Sequence, residues 1–279
     1  MKLDIAFSSC PNDTYIFDAL VHKKIDTHGI DFSYTIADVE ELNKKALEQT
    51  FAITKLSYFA FAHCSQAYQI LDSGSALGYA NGPLFICKQG HEHTINSSSV
   101  IAIPGKHTTA HVLFSMAYPE FSRKKYMVFH EIEEALKNGS ADAGVIIHEN
   151  RFTYAQRGFS CMCDLGTVWE QNTTMPIPLG AICIQRSLAE SVKQTVNTLI
   201  RKSIEFARSH PDESQHFIHS HAQEIEQDIV SQHIALFVND FSIDLGTIGK
   251  QAIITLFSKA REFSLIPNLH PNIFLNPSS

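Results

Sequence analysis

The chain has 279 residues, of which 44% are hydrophobic and 18% charged, and 29 acidic against 22 basic side chains give a formal net charge of -7. This balance is globular rather than disordered, with length for one large domain or two ordinary ones. It lacks the clustered positive charge that a phosphate backbone requires, so no nucleic-acid partner is expected.

No stretch approaches the roughly 20 apolar residues that span a bilayer. Asp4 interrupts the apolar run at the amino terminus, unlike a secretory signal. A cytoplasmic protein without membrane attachment is expected. The six cysteines, at 10, 64, 87, 161, 163 and 183, form no C-x-x-C pair and no disulfide framework, which fits reduced thiols. The fifteen histidines, if all were protonated, would reverse the sign of the net charge.

A first strand is expected over residues 2–8, followed by the loop S-S-C-P-N-D-T and a helix from Thr14 with Asn12 or Asp13 as its cap. Asp31–Ile36 reads as the second strand, and Asp38 with Glu41 gives a capping-box pattern for the next helix. A third strand over 51–56 runs into T-K-L-S and a helix over 58–67. Residues 71–83, rich in glycine and closed by Pro83, read as turn. Leu84–Lys88 returns to strand character, and the polar stretch 89–99 is the linker candidate.

Next come a strand over 100–103, the turn P-G-K-H, a helix over 108–118, a strand over 126–129, a helix over 131–137 and a strand over 141–147. The unbroken β-branched run Val145, Ile146, Ile147 suits a strand covered on both faces. A further strand is expected over 179–184, then a long helix capped by Ser187 and stopped by Pro211, helices over 224–238 and 246–263, and a Pro/Asn-rich coil. Strands alternating with helices at this spacing indicate an α/β protein with βαβ units and a parallel sheet.

The halves echo each other. V-E-E-L, A-L-E-Q and a strand ending K-L-S answer I-E-E, A-L-K-N and a strand ending I-I-H. If strands near 84–88 and 179–184 are crossings, residues 1–89 and 180–279 form one discontinuous lobe and 90–179 an inserted second lobe. Such a two-lobed arrangement with two inter-lobe crossings resembles the type II periplasmic-binding-protein fold.

His148 stands where the strand over 141–147 stops. Open α/β sheets bind ligands beyond the carboxyl ends of their strands, so it is either an acid or base or a histidine satisfied by loop carbonyls. Thr108, Thr109 and Ala110 open a helix, where they can receive an anion or simply cap the helix. Lys55 and Ser57, at the matching place in the first half, admit the same two readings, and together the sites can grip a carboxylate. Cys10 is a candidate nucleophile or a small packing residue, with no histidine near it in sequence. Arg123, Lys124 and Lys125 read as a solvated turn. His107 with His111, His91 with His93, and His216 with His219 and His221 follow no zinc spacing, so no metal is expected. No nucleotide-binding loop, serine-hydrolase elbow or zinc-protease helix occurs.

The segments S-S-C-P-N-D-T-Y-I-F, D-V-E-x-L-N, T-K-L-S-Y, G-x-A-L-G, P-G-x-H-T-T-A and A-D-A-G-V-I-I-H-E-x-R follow in this order between residues 8 and 151. Taken together they resemble the 1,4-dihydroxy-6-naphthoate synthase family of the futalosine route to menaquinone. The resemblance implies a binding-protein-like fold adapted to convert cyclic de-hypoxanthine futalosine to 1,4-dihydroxy-6-naphthoate, with release of a sugar-derived fragment. It implies His148 as proton acceptor, and Lys55, Leu56 and Ser57 with Thr108, Thr109 and Ala110 around an aromatic carboxylate substrate. No cofactor is required by this scheme, and a histidine with a pKa near ~6.5 suits it. Ser9 and Ala80 depart from the family pattern, where proline and glycine are usual. The competing expectation is a non-catalytic small-carboxylate binding protein of the same fold.

Overall fold

The structure is a computed structural model that describes residues 1–222 and 226–275. β1 (Lys2–Phe7) lies between β2 (Asp31–Ile36) and β3 (Ile53–Ser57), parallel to both. α1 (Pro11–Val21) and α2 (Val39–Leu47) make the two crossovers, and α3 (Tyr58–Cys64) leads to the short strands β4 (Tyr68–Ile70) and β5 (Ala76–Gly78). The chain then enters a second sheet with β6 (Leu84–Lys88), β7 (Ile101–Pro104), α4 (Thr109–Ala117), β8 (Lys124–Met127), α5 (Ile132–Lys137), β9 (Ala143–Ile146), α6 (Asn150–Thr153) and β10 (Phe159–Asp164). It leaves through α7 (Leu165–Thr173) and returns to the first sheet as β11 (Ile177–Gln185). The remaining helices are α8 (Glu190–Ser209), α9 (Gln215–His221), α10 (Gln227–Phe237), α11 (Asp240–Ile243) and α12 (Gly246–Glu262).

The sheets correspond strand for strand. The first has the order β2-β1-β3-β11-β4, with β5 also on β11, and the second has β10-β6-β9-β7-β8. Thus β2-β1-β3-β11 answers β8-β7-β9-β6, with the last strand antiparallel in each. The echo around T-K-L-S and I-I-H is the sequence trace of α2 to β3 and α5 to β9. Neither sheet is purely parallel, because each accepts a strand that arrives from the other. Leu84–Lys88, assigned above to the first lobe, pairs with strands of the second sheet. By sheet membership the outward passage lies at 79–83, and residues 89–99 are a loop inside the second lobe rather than a linker.

Other differences have local causes. α1 starts at Pro11 with Cys10 as N-cap, since proline is already shaped for the first helical turn, while Asp13 is drawn into a buried ion pair. Asp38 caps α2 through the Glu40 N–H at 2.8 Å, but Glu41 turns outward to Lys45 and closes no capping box. The cap of α8 is Ala189, not Ser187. Lys124 and Lys125 are not turn residues but part of edge strand β8, where lysine discourages pairing with another chain. The helix expected over 224–238 is described from Gln227, its expected start lying outside the described residues. β10 and α7 had no periodic signal: F-S-C-M-C-D contains no β-branched residue.

One apolar cluster runs through both sheets, from Tyr58 and Leu256 through Phe85 and Phe114 to Val145. A second holds α1 against β1, β3 and the carboxyl-terminal helices. α1 packs on α8, α9 and α10, which carries α10 back to the start of α1. Among the described residues no helix is long and apolar enough to cross a membrane.

The passages between the sheets touch at two glycines. A Cβ on Gly82 would lie 2.3 Å from the Gly166 backbone nitrogen, and one on Gly166 would lie 2.8 Å from the Gly82 nitrogen. Because backbone meets backbone, no flexible side-chain end can give way. Gly82→Ala is therefore expected to destabilise the fold by about 1–3 kcal/mol, the usual range for overpacking, as read from the midpoint of urea unfolding. An unchanged midpoint would mean that the passages have room to separate.

Candidate active site

The carboxyl ends of β1, β3, β7 and β9 open on one cleft. Lys55, Leu56, Ser57, Thr108, Thr109, Ala110 and His148, singled out from sequence, all line it. On the first-lobe side, Lys55 Nζ donates to Asp13 Oδ1 at 2.7 Å, and both residues are buried. Asp13 Oδ2 accepts from the Ser8 N–H at 3.1 Å and the Ser8 hydroxyl at 2.6 Å, while Asn12 Nδ2 donates to Oδ1 at 3.0 Å. The Lys55 charge is thus balanced within the protein.

Ser57 makes no side-chain cap of α3. Its Oγ accepts from Asn43 Nδ2 at 3.2 Å and its N–H donates to Asn43 Oδ1 at 3.0 Å. Thr108 follows the capping alternative: its Oγ1 accepts from the His111 N–H at 3.3 Å and donates to the Gly105 carbonyl at 3.1 Å. Thr109 Oγ1 donates to the Leu179 carbonyl at 2.7 Å, tying α4 to β11 of the other sheet. What α4 can present to a ligand is therefore the backbone N–H groups of Thr109 and Ala110, which lack helical acceptors in a first turn.

The lobes are also clamped through Glu40, a residue the sequence reading passed over. Its carboxylate accepts from the Lys106 and His107 N–H groups, each at 3.0 Å, and pairs with His107 Nδ1 at 2.9 Å. Asn43 Nδ2 adds a bond to the His107 carbonyl at 3.3 Å. Arg151, lining the cleft, donates to the carbonyls of Gly82 and Ala80 and lies 3.4 Å from Asp164. It braces the loop in which Ala80 adopts a left-handed φ of 55°, the conformation that makes glycine the easier residue there.

His148 itself has φ 59°, unusual for a residue other than glycine, and this turns the ring from the end of β9 toward the first lobe. Cys10 Sγ lies 3.2 Å from Nδ1 and 3.8 Å from Nε2, so the histidine that Cys10 lacks in sequence reaches it from 138 residues away. Burial, reinforced by Glu149 and Asp13, pushes the Cys10 thiol well up, which keeps it protonated and disfavours the nucleophile alternative. Burial also lowers the His148 pKa to about 4, against partial opposition from Asp38 and Asp13. The imidazole is neutral at physiological pH but less basic than the ordinary value assumed from sequence.

Above His148 lies a second ring, His233 of α10, at a centroid distance of 6.3 Å and an interplanar angle of 21°. No spacing rule singled it out, since α10 reaches the cleft only by packing on α1. Among the described residues, His148, Glu149 and His233 are the group whose ligand atoms lie close enough to hold a metal, all within 4.8 Å. A cation there would occupy the His148 lone pair, so metal binding and base action at this histidine exclude each other. His107 and His111 are held by the protein: His107 meets Glu40, and His111 Nδ1 meets the Lys106 carbonyl at 2.7 Å.

A cleft between two matching, doubly connected α/β lobes defines a periplasmic-binding-protein-like protein. The periplasmic aliphatic sulphonate binding protein of Escherichia coli shares this fold, with a TM-score of 0.62 at 13% identity over 100% of this chain and 94% of its own. Residues 3–262 match the family described as menaquinone biosynthesis, and the chain belongs to that family. It is 39% identical to the 1,4-dihydroxy-6-naphthoate synthase of Thermus thermophilus, over 92% of this chain and 93% of the relative. To the synthase of the same name from Streptomyces coelicolor it is 35% identical, over 99% and 98%.

The buried imidazoles have a thermodynamic consequence. His111 and His148 are lowered to about 4 and His233 is also lowered, all chiefly by burial. Between an unfolded pKa near ~6.5 and those folded values, the unfolded chain binds protons that the folded chain refuses. Stability contributed by these groups is thus complete above the unfolded pKa and falls as pH drops through it. The urea midpoint is expected to decline steadily from pH 7 to pH 5, about two pH units. A flat midpoint across that window would show that these rings take up protons in the folded state.

Proposed function

We propose that this chain is a 1,4-dihydroxy-6-naphthoate synthase acting as a carbon-carbon lyase on cyclic de-hypoxanthine futalosine. The observation that carries the reading is the meeting, in one cleft, of a neutral imidazole from the second lobe with anion-seeking groups from both. The substrate carboxylate docks on the Thr109 and Ala110 N–H groups and accepts a hydrogen bond from the Ser57 hydroxyl of the first lobe. His148 then faces the ring to be fragmented. Proton removal allows the carbon-carbon bond to the sugar-derived fragment to break, and the aromaticity gained by the product drives the step. No cofactor enters this scheme.

For His148 to act as base, Nδ1–H donates to the Cys10 sulfur and the Nε2 lone pair points at substrate. A bound carboxylate raises the pKa from its low value in the free cleft, because a nearby negative charge favours the imidazolium. Lobe closure through Glu40 and Thr109 excludes water and strengthens these interactions.

The test is turnover of cyclic de-hypoxanthine futalosine, followed by absorbance and mass, in wild type and in His148→Ala and His148→Asn. Asparagine tolerates the left-handed backbone and controls for strain. Wild type is expected to form the naphthoate, and both variants to lose about 10²–10⁴-fold in rate, the usual share of a general base, while product affinity stays within about twofold. Turnover retained in the variants would remove the base role. Absence of turnover in wild type, with saturable binding of an aromatic carboxylate, would favour the non-catalytic binding protein.

A further inference from the structure

Among the described residues, two buried side chains in the cleft have polar atoms without a hydrogen-bond partner: Nδ1 of His233, and both the nitrogen and the oxygen of the Asn81 amide. Neither residue has a part in the proton transfer above. Asn81 is accommodated by Gly78, where a Cβ would come within 2.8 Å of the amide nitrogen.

The tautomer of His233 is fixed by a chain of bonds that begins at Asp13. Asn12 Nδ2 donates to Asp13 Oδ1, which obliges Asn12 to turn its oxygen toward His233. Nε2 of His233, 3.0 Å from that oxygen, must then carry the ring proton. Nδ1 is left as a lone pair. Beyond it, at 3.7 Å, lies Glu149 Oε2, a second acceptor. Burial keeps His233 neutral, so this approach is not an ion pair. The Nδ1 lone pair calls for a donor from the ligand, and the Asn81 amide, which lines the same cleft, offers an acceptor and a donor. Hydroxyl groups, donors and acceptors at once, meet both demands.

We propose that His233 and Asn81 form a hydroxyl-recognition subsite for the sugar-derived part of the substrate, the part lost when the naphthoate is formed. This rests on the function proposed above and adds the group that distinguishes substrate from product. The carboxylate is gripped at α4 and the polyhydroxylated end at α10, with the bond to be broken held between them at His148.

His233→Gln keeps an amide donor for Asn12 and removes the Nδ1 acceptor, while Asn81→Ala removes the second partner. Each variant is expected to lower kcat/KM for cyclic de-hypoxanthine futalosine by roughly 10–100-fold, the scale of a lost buried hydrogen bond. Affinity for 1,4-dihydroxy-6-naphthoate, which lacks the fragment, should change by less than about twofold. The product also reports whether each variant folds. Equal losses for substrate and product, or no loss, would overturn the subsite. Long-range proton–nitrogen NMR of the free protein should show His233 protonated at Nε2 and bare at Nδ1, and the opposite tautomer would overturn it independently of any activity. Stoichiometric Zn²⁺ binding that disappears in His233→Gln would reassign the ring as a metal ligand. If wild type fails to turn over the substrate, the functional reading fails first, and the tautomer measurement still judges the geometry.

Discussion

The buried ion pair between Asp13 and Lys55 is the constraint on which the site depends. A carboxylate removed from water is costly unless its lone pairs are met. Asp13 meets this demand with Lys55, Asn12 and both donors of Ser8. Three elements are fixed as a result: the turn after β1, the start of α1 and the end of β3. Asp13 is unavailable as a helix cap, so Pro11 and Cys10 begin α1. Asn12 is oriented, and through it the ring of His233 on a helix more than 200 residues later. Lys55 reaches the cleft already neutralised, which leaves neutral donors, not a lysine charge, to receive an anionic ligand.

Lobe closure is the second condition. Glu40 takes three donors from the turn before α4, and Thr109 returns a bond to β11. Gly82 and Gly166 let the two passages lie backbone against backbone. The lobes thereby bring Cys10 and His148 within contact, and the same enclosure removes water from the imidazole and lowers its pKa. Basicity is therefore tied to what occupies the cleft. An empty site holds a weak base, and an anionic ligand strengthens it.

Much of this was legible in the sequence, for reasons that differ by element. The β-branched run before His148 marked a buried strand and hence its carboxyl end, and the echo between T-K-L-S and I-I-H marked equivalent positions in two sheets. Each is a local pattern written within a few residues. The direction of β6 and β11 was not legible, because an apolar strand carries no mark of whether its partner is parallel. Glu40 is one of two acids in the first turn of α2, and only the turn it meets, 66 residues on, gives it a role. His233 sat among other histidines of the carboxyl-terminal helices, with nothing to distinguish it until α10 was packed on α1. Cys10 was discounted for want of a neighbouring histidine, although its neighbour comes from the opposite lobe.

The proposed activity depends on how the cleft holds an aromatic carboxylate against His148. The most direct measurement is a crystal structure of the protein with 1,4-dihydroxy-6-naphthoate bound. The carboxylate is expected within hydrogen-bond distance of the Thr109 and Ala110 N–H groups and the Ser57 hydroxyl, with His148 Nε2 facing the ring. A naphthoate bound with its carboxylate on another group, or with its ring out of reach of His148, would contradict the account.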